Sequence, residues 1–423
     1  MKKLDFPKIG ETLYTDTLEN GLRICVAVKP GYTKSFALFA TDYGGADRRF
    51  RLAGEWKDTP AGVAHFLEHK MFDMPDGNAL SVLSANGADP NAFTSSGMTA
   101  YYFQSTDGFA DNLDTLLRFV STPYFTAESV QKEQGIIGQE IRMTEDSPFH
   151  AVYYGLLKCL FQHNPVRDSV AGTVESIAEI TDETLYACHK VFYNPSNMVL
   201  CVVGDVDPEQ VREAAIRILP AEAGERPERD YGAAEAEKPH ETFAERQMEV
   251  SMPLFAFGSR FMPAAKGLPA LRQRLAASLA LDCLLGESSP LYAKLYADGL
   301  VDSDFGYELD FTAGTGMVIV SGKSAEPEKV FEAVCAEAER AAKEGLDAEL
   351  FERLRRADYG ERLRGLGGFE DLACSLADGV FAGFCALDAF QEAETLQKAA
   401  CEAFLRDVLR RDLFALSVIR PRA

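Results

Sequence analysis

At 423 residues the chain is longer than one ordinary hydrophobic core requires, and its length predicts two or three domains. Apolar residues make up 47% of it, ample for such cores, while the formal charge of −22 excludes the basic clusters that nucleic acid and anionic membrane demand. An acidic surface suits a cationic or neutral ligand, although self-repulsion that keeps a soluble chain dispersed accounts for it equally well.

The N-terminus carries two lysines but no apolar stretch behind them, so no signal peptide is expected, and no run is long enough to span a bilayer. Residues 12–18 lead into Asn20-Gly21 and then the alternating Leu22, Ile24, Val26 and Val28, which predicts a β-hairpin. Apolar strands are expected at 35–43 and 99–106, with a helix from Thr59-Pro60-Ala61-Gly62 through Phe72 between them. Helical patterns continue at 109–120, 127–145, 151–161 and 182–192, followed by a buried strand at 197–204. The nine cysteines form no Cys-x-x-Cys pair and mostly sit in apolar runs such as Leu200-Cys201-Val202-Val203. They predict reduced, buried thiols and a cytoplasmic location.

From about Pro220 to Gln247 the composition turns charged and rich in Ala, Gly and Pro, which predicts a linker. Beyond it the pattern restarts. MPLFAFGSRF (252–261) echoes SFALFATDYG (35–44), LYAKLYADGLVD (291–302) echoes ALSVLSANGADP (79–90), and LFALSVIRP (413–421) is a counterpart of NMVLCVVGD (197–205). The spacing of roughly 200 residues exceeds any solenoid period. The expected fold is therefore α+β, in two homologous halves, each a mostly antiparallel sheet with helices packed on one face. The division expected is 1–222, a linker at 223–247, and 248–423.

Of the six histidines, none lies beyond His240, so a histidine-based site must be built by the first half. His65 and His69 flank Glu68 in AGVAHFLEHKMF. Residues four apart share a helix face, so both imidazoles can aim at one ion about 2 Å away. Glu68 can then reach a water on that ion without binding it. A helix with two surface histidines and an unrelated glutamate would give the same letters. However, the apolar flanks Val63, Ala64, Phe66, Leu67, Met71 and Phe72 would make three ionisable groups costly without a partner. A third ligand is sought in SVQKEQGIIGQEIRMTED, where Glu133 and Glu140 lie two helical turns apart; by spacing alone they read equally as a solvated stripe.

The chain resembles the insulinase, pitrilysin and mitochondrial-processing-peptidase family of inverted zinc metallopeptidases over essentially its whole length, most specifically in HFLEH. The resemblance implies a Zn2+ site completed by Glu140, with Glu133 as the accessory carboxylate that orients a ligand imidazole. It makes Asn91-Ala92-Phe93-Thr94 part of an edge strand where substrate adds as an extended β-strand; without it, these residues read as an ordinary edge strand with a turn asparagine. It implies hydrolysis of peptides or unfolded segments in an enclosed chamber, with Glu68 as general base toward a zinc-activated water. It also implies a homodimer, or a heterodimer with a related zinc-less chain.

One stretch departs from the family. Many members carry Arg-x-x-x-Gly-Leu-x-Tyr in the second half, whose Arg and Tyr approach the substrate. Here Leu295 replaces the Arg and Asp302 the Tyr, while Gly299 and Leu300 remain. The competing expectation is a non-catalytic subunit or peptide-binding scaffold on the same fold.

Overall fold

The computed structural model describes residues 1–422, apart from the side chain of Leu52. The chain packs as two units. The first contains Met1–Ile141, Ser169–Tyr231 and Leu363–Leu387; the second contains Arg142–Asp168, Gly232–Arg362 and the chain from Asp388 onward.

The first unit is built on a seven-stranded sheet of β1 (Lys2–Phe6), β2 (Glu11–Thr17), β3 (Arg23–Val28), β4 (Ser35–Thr41), β5 (Ala88–Thr94), β6 (Thr99–Ser105) and β7 (Met198–Gly204). Their order is β1-β2-β3-β7-β4-β6-β5, and every pairing is antiparallel except β7 on β3. Every residue of β4 and of β7 is buried. A strand reads as an unbroken apolar run only when both faces of its sheet are covered, and both are. One face, with Ile24, Val26, Phe39, Leu200, Val202 and Tyr101, packs in the core shared with helices Val63–Lys70, Phe109–Ser121 and Asp182–Phe192. The other face is covered by a single helix, Phe369–Ala382, against β7 and β4.

The second unit repeats this plan with β8 (Phe243–Met248), β9 (Leu254–Phe261), β10 (Gly306–Thr312), β11 (Thr315–Lys323) and β12 (Ala415–Pro421), in the order β8-β12-β9-β11-β10. Its one parallel pairing, β8 on β12, matches β3 on β7. Helices Leu268–Leu285, Pro327–Glu344 and Lys398–Val408 share the core on one face. Pro148–Leu160 covers β12, β9 and β8. The duplicated α+β architecture expected from the sequence is thus present, with helices clustered on one face of each sheet. The contiguous division is not how the chain packs, because residues 142–168 and 363–387 each join the unit opposite to their sequence half.

The expected linker is also not a free tether. Ser196 Oγ donates to Gly224 O at 2.6 Å, the backbone N–H of Arg51 donates to Glu228 O at 3.0 Å, and that of Asp230 to Arg49 O at 2.9 Å. Residues 224–231 are strapped to the first unit, and 243–248 form an edge strand of the second. No disulfide links any of the nine cysteines, seven of which are buried. Among the described residues no single helix is long and apolar enough to cross a membrane.

Candidate metal centre

The Val63–Lys70 helix opens at Gly62, whose φ of +96° lies in the left-handed region that favours glycine. A Cβ there would sit 2.6 Å from the carbonyl oxygen of Ala171, so the helix starts in close contact with the backbone that follows Ser169. Val63, Ala64, Phe66 and Leu67 are buried, which fixes the rotation of the helix and leaves His65, Glu68 and His69 on its half-buried side.

The two imidazoles lie tilted to each other at 58°, with ring centroids 4.7 Å apart. His65 Nε2 lies 3.5 Å from Glu140 Oε1, and His69 Nε2 lies 3.6 Å from Glu140 Oε2. One donor atom from each of the three residues falls within 4.8 Å of the others. Ligands about 2 Å from a tetrahedral ion sit about 3.3 Å apart, so this cradle is of the right size for zinc. Glu140 comes from the Ala127–Glu145 helix, which buries Val130, Ile137 and Ile141 and so turns Glu133 and Glu140 together toward the histidines.

Glu133 does not join the triad. Its Oε1 lies 3.0 Å from His69 Nδ1, which fixes the tautomer that leaves Nε2 free for a ligand, and its Oε2 lies 3.9 Å from Lys70 Nζ. Lys70 is itself buried and paired with Asp73. His65 has no comparable partner, its Nδ1 being buried without a hydrogen bond among the described residues.

The electrostatics favour a cation. Burial by itself would lower the His69 pKa, but the hydrogen bond to Glu133 and the charges of Glu133, Glu68 and Glu140 hold it above its ordinary value. Burial pulls Glu133 upward; the hydrogen bond to His69 and the charge of Lys70 outweigh it and leave the carboxyl below the usual range. The hydrogen bond to His65 lowers Glu140 against its desolvation. Three carboxylates around two imidazoles make a negative pocket with two nitrogen donors, which is the donor set a divalent borderline-soft ion prefers.

Glu68 is held from the sheet. Thr94 Oγ1 donates to Glu68 Oε2 at 2.6 Å. Thr94 and Ala92 face the metal helix, while alternation turns Asn91 and Phe93 to the opposite face, where Phe93 meets the ring of Tyr102 at 6.3 Å. Of the four edge-strand residues expected to bind substrate, Thr94 therefore holds Glu68, and Asn91 and Phe93 point away from it. β5 pairs with β6 on one side only, so it is an edge strand. Leu295 is buried in the second unit's core, and Asp302 is exposed, accepting the N–H of Asp304 at 2.9 Å. The roles of Thr94 and Lys70 had no local sequence signal, because their partners are brought to them by the sheet and by a distant helix.

Residues 53–174 match the family described as Insulinase (Peptidase family M16), and residues 179–357 match that described as Peptidase M16 inactive domain. An uncharacterized zinc protease of Bacillus subtilis (strain 168), YmfH, is 35% identical over 432 residues that cover 100% of both chains. The chain belongs to the M16 insulinase family. A crystal structure described as an M16-like peptidase from Alicyclobacillus acidocaldarius superposes with a TM-score of 0.94 at 33% identity, over 99% of this chain and 100% of that one. The fold is shared with pitrilysin at a TM-score of 0.77 and 18% identity, over 97% of this chain and 45% of pitrilysin. Membership of M16 places the chain among proteins named as zinc proteases.

Proposed function

We propose that the chain is a zinc-dependent peptidase in which His65, His69 and Glu140 hold the metal and Glu68 is the general base. The observation that carries this reading is the convergence of the three donor atoms within 4.8 Å beside a glutamate fixed from the sheet. When bound there, zinc would supply Lewis acidity toward a water molecule and a peptide carbonyl. Glu68 offers Oε1 to take a proton while Thr94 pins Oε2, so the carboxylate cannot swing off line, and it returns that proton to the leaving amine. Glu133 keeps the His69 ring oriented and raises its basicity.

The substrate class follows from β5. An extended peptide can pair with an edge strand through its backbone, whereas a folded protein has already used those groups. Unfolded segments and short peptides are the expected substrates. A second copy of the chain, or a related zinc-less chain, would supply the substrate wall that Leu295 cannot, since it lies inside a core. A scaffold on the same fold would have no use for a threonine-held glutamate beside two imidazoles.

The test is cleavage of a quenched-peptide library by wild type and by Glu68→Gln at equal zinc content. Cleavage by wild type that disappears in the variant supports the assignment. Wild type that carries zinc and cleaves nothing, or a variant as active as wild type, contradicts it.

A further inference from the structure

We infer that Arg229, on the segment joining the two sequence halves, is a positioning residue for Glu68 and acts through Asp47 and the turn that follows the edge strand. The inference rests on the peptidase reading above for what Glu68 does, but its geometry is independent of that reading.

Arg229 Nε lies 2.9 Å from Asp47 Oδ1, and its terminal nitrogen donates to the backbone carbonyl of Asp42. The guanidinium sits over the ring of Phe192, 5.7 Å from the centroid. Tyr231, two residues on, donates its hydroxyl to the same Asp47 oxygen at 2.9 Å. The other Asp47 oxygen accepts the N–H of Gly44 at 2.8 Å, so a fully buried carboxylate pins the turn at 43–47.

That turn is locked to the one after β5. Gly45 N–H donates to Ser95 O at 2.9 Å, and Ala46 N–H to Ser96 O at 3.0 Å. Gly44 presses so close that a Cβ would lie 2.4 Å from the backbone nitrogen of Gly97. Thr99 donates to Tyr43 O at 2.9 Å and approaches the Thr94 hydroxyl at 3.4 Å. Thr94 in turn holds Glu68. An unbroken set of contacts therefore runs from Arg229 to the carboxylate.

Stability alone explains this pair poorly. Taking two charges out of water is costly, and well-packed apolar side chains are often as stable. A fixed ion pair delivers something apolar packing does not, namely one defined placement of the turn. A general base needs that, because small displacements of a catalytic group cost much of its rate.

The experiment compares the zinc-loaded full-length protein with Arg229→Met, Asp47→Asn and Arg229→Lys. Three readouts are taken: zinc content, kcat and KM on a peptide that wild type cleaves, and amide hydrogen exchange across residues 92–100. We expect Arg229→Met and Asp47→Asn to keep full zinc, to lose kcat by about tenfold to a hundredfold with KM changed less than about twofold, and to exchange faster across 92–100. Arg229→Lys should restore part of both. If Arg229→Met does not fold, Asp47→Asn carries the test, since its amide oxygen still accepts from Gly44. Folded variants with wild-type exchange and kcat would overturn the inference and leave the pair a packing feature. If wild type cleaves no peptide, the peptidase reading fails by itself; faster exchange in the variants would still support the positioning role, and unchanged exchange would overturn it.

Discussion

The two units fold one strand plan twice, yet among the described residues only the first uses it to gather a cluster that could hold a metal. In the first unit, the helix Val63–Lys70 buries one side and leaves His65, Glu68 and His69 only partly buried. In the second, Leu268–Leu285 buries alanines and leucines along most of its length from Leu275 onward, and its carboxylate Asp282 accepts the Tyr307 hydroxyl at 2.8 Å. A helix whose one inward carboxylate is spent on a tyrosine hydroxyl can stabilise a core but has no free donor there to present. The difference lies in which face of a shared scaffold is left open, and in whether a distant helix sends carboxylates to it.

Four substitutions break or sharpen that contrast. Glu68→Gln should lower kcat by about a hundredfold to ten-thousandfold at unchanged zinc content, measured on a cleaved peptide, with no stability loss beyond about 1 kcal/mol. His189 separates the units by acid. Burial pushes its pKa down to about 4, while Val120 O, 3.0 Å from Nε2, opposes the shift. A histidine depressed in the native state contributes stability that is present above the unfolded value of 6.5 and lost as pH falls toward about 4. His189→Gln should remove about 3 kcal/mol of that pH dependence, seen in denaturation midpoints between pH 7 and 4. Glu133→Gln should weaken zinc affinity about tenfold to a hundredfold by competition with a chelator, since it frees the His69 ring. Tyr307→Phe in the second unit should cost only about 1 kcal/mol of stability and leave zinc content untouched.

The sequence made the metal helix legible because two histidines four apart on a helix are a local pattern, and the apolar residues around them predict burial. Glu140 and Glu133 were legible only through the family resemblance, since spacing cannot tell a ligand from a solvated stripe. Thr94 was picked out as part of the edge strand, but its hydrogen bond to Glu68 was not: the side-chain alternation that turns it to Glu68 and sends Asn91 and Phe93 away depends on register with β6. The exchange of Pro148–Leu160 and Phe369–Ala382 between units was not legible. An apolar stripe says that a helix is buried, not against which sheet. Residues 224–231 read as a tether from their composition, because Arg229 and Tyr231 find Asp47 only after folding.

Metal content decides whether the cluster is a zinc site: elemental analysis of the purified protein and of Glu140→Gln, after zinc exposure and removal of loose ions. About one zinc per chain is expected in wild type, with a large loss in the variant. Well-folded wild type without zinc, or a variant that retains it fully, would contradict the ligand set of His65, His69 and Glu140.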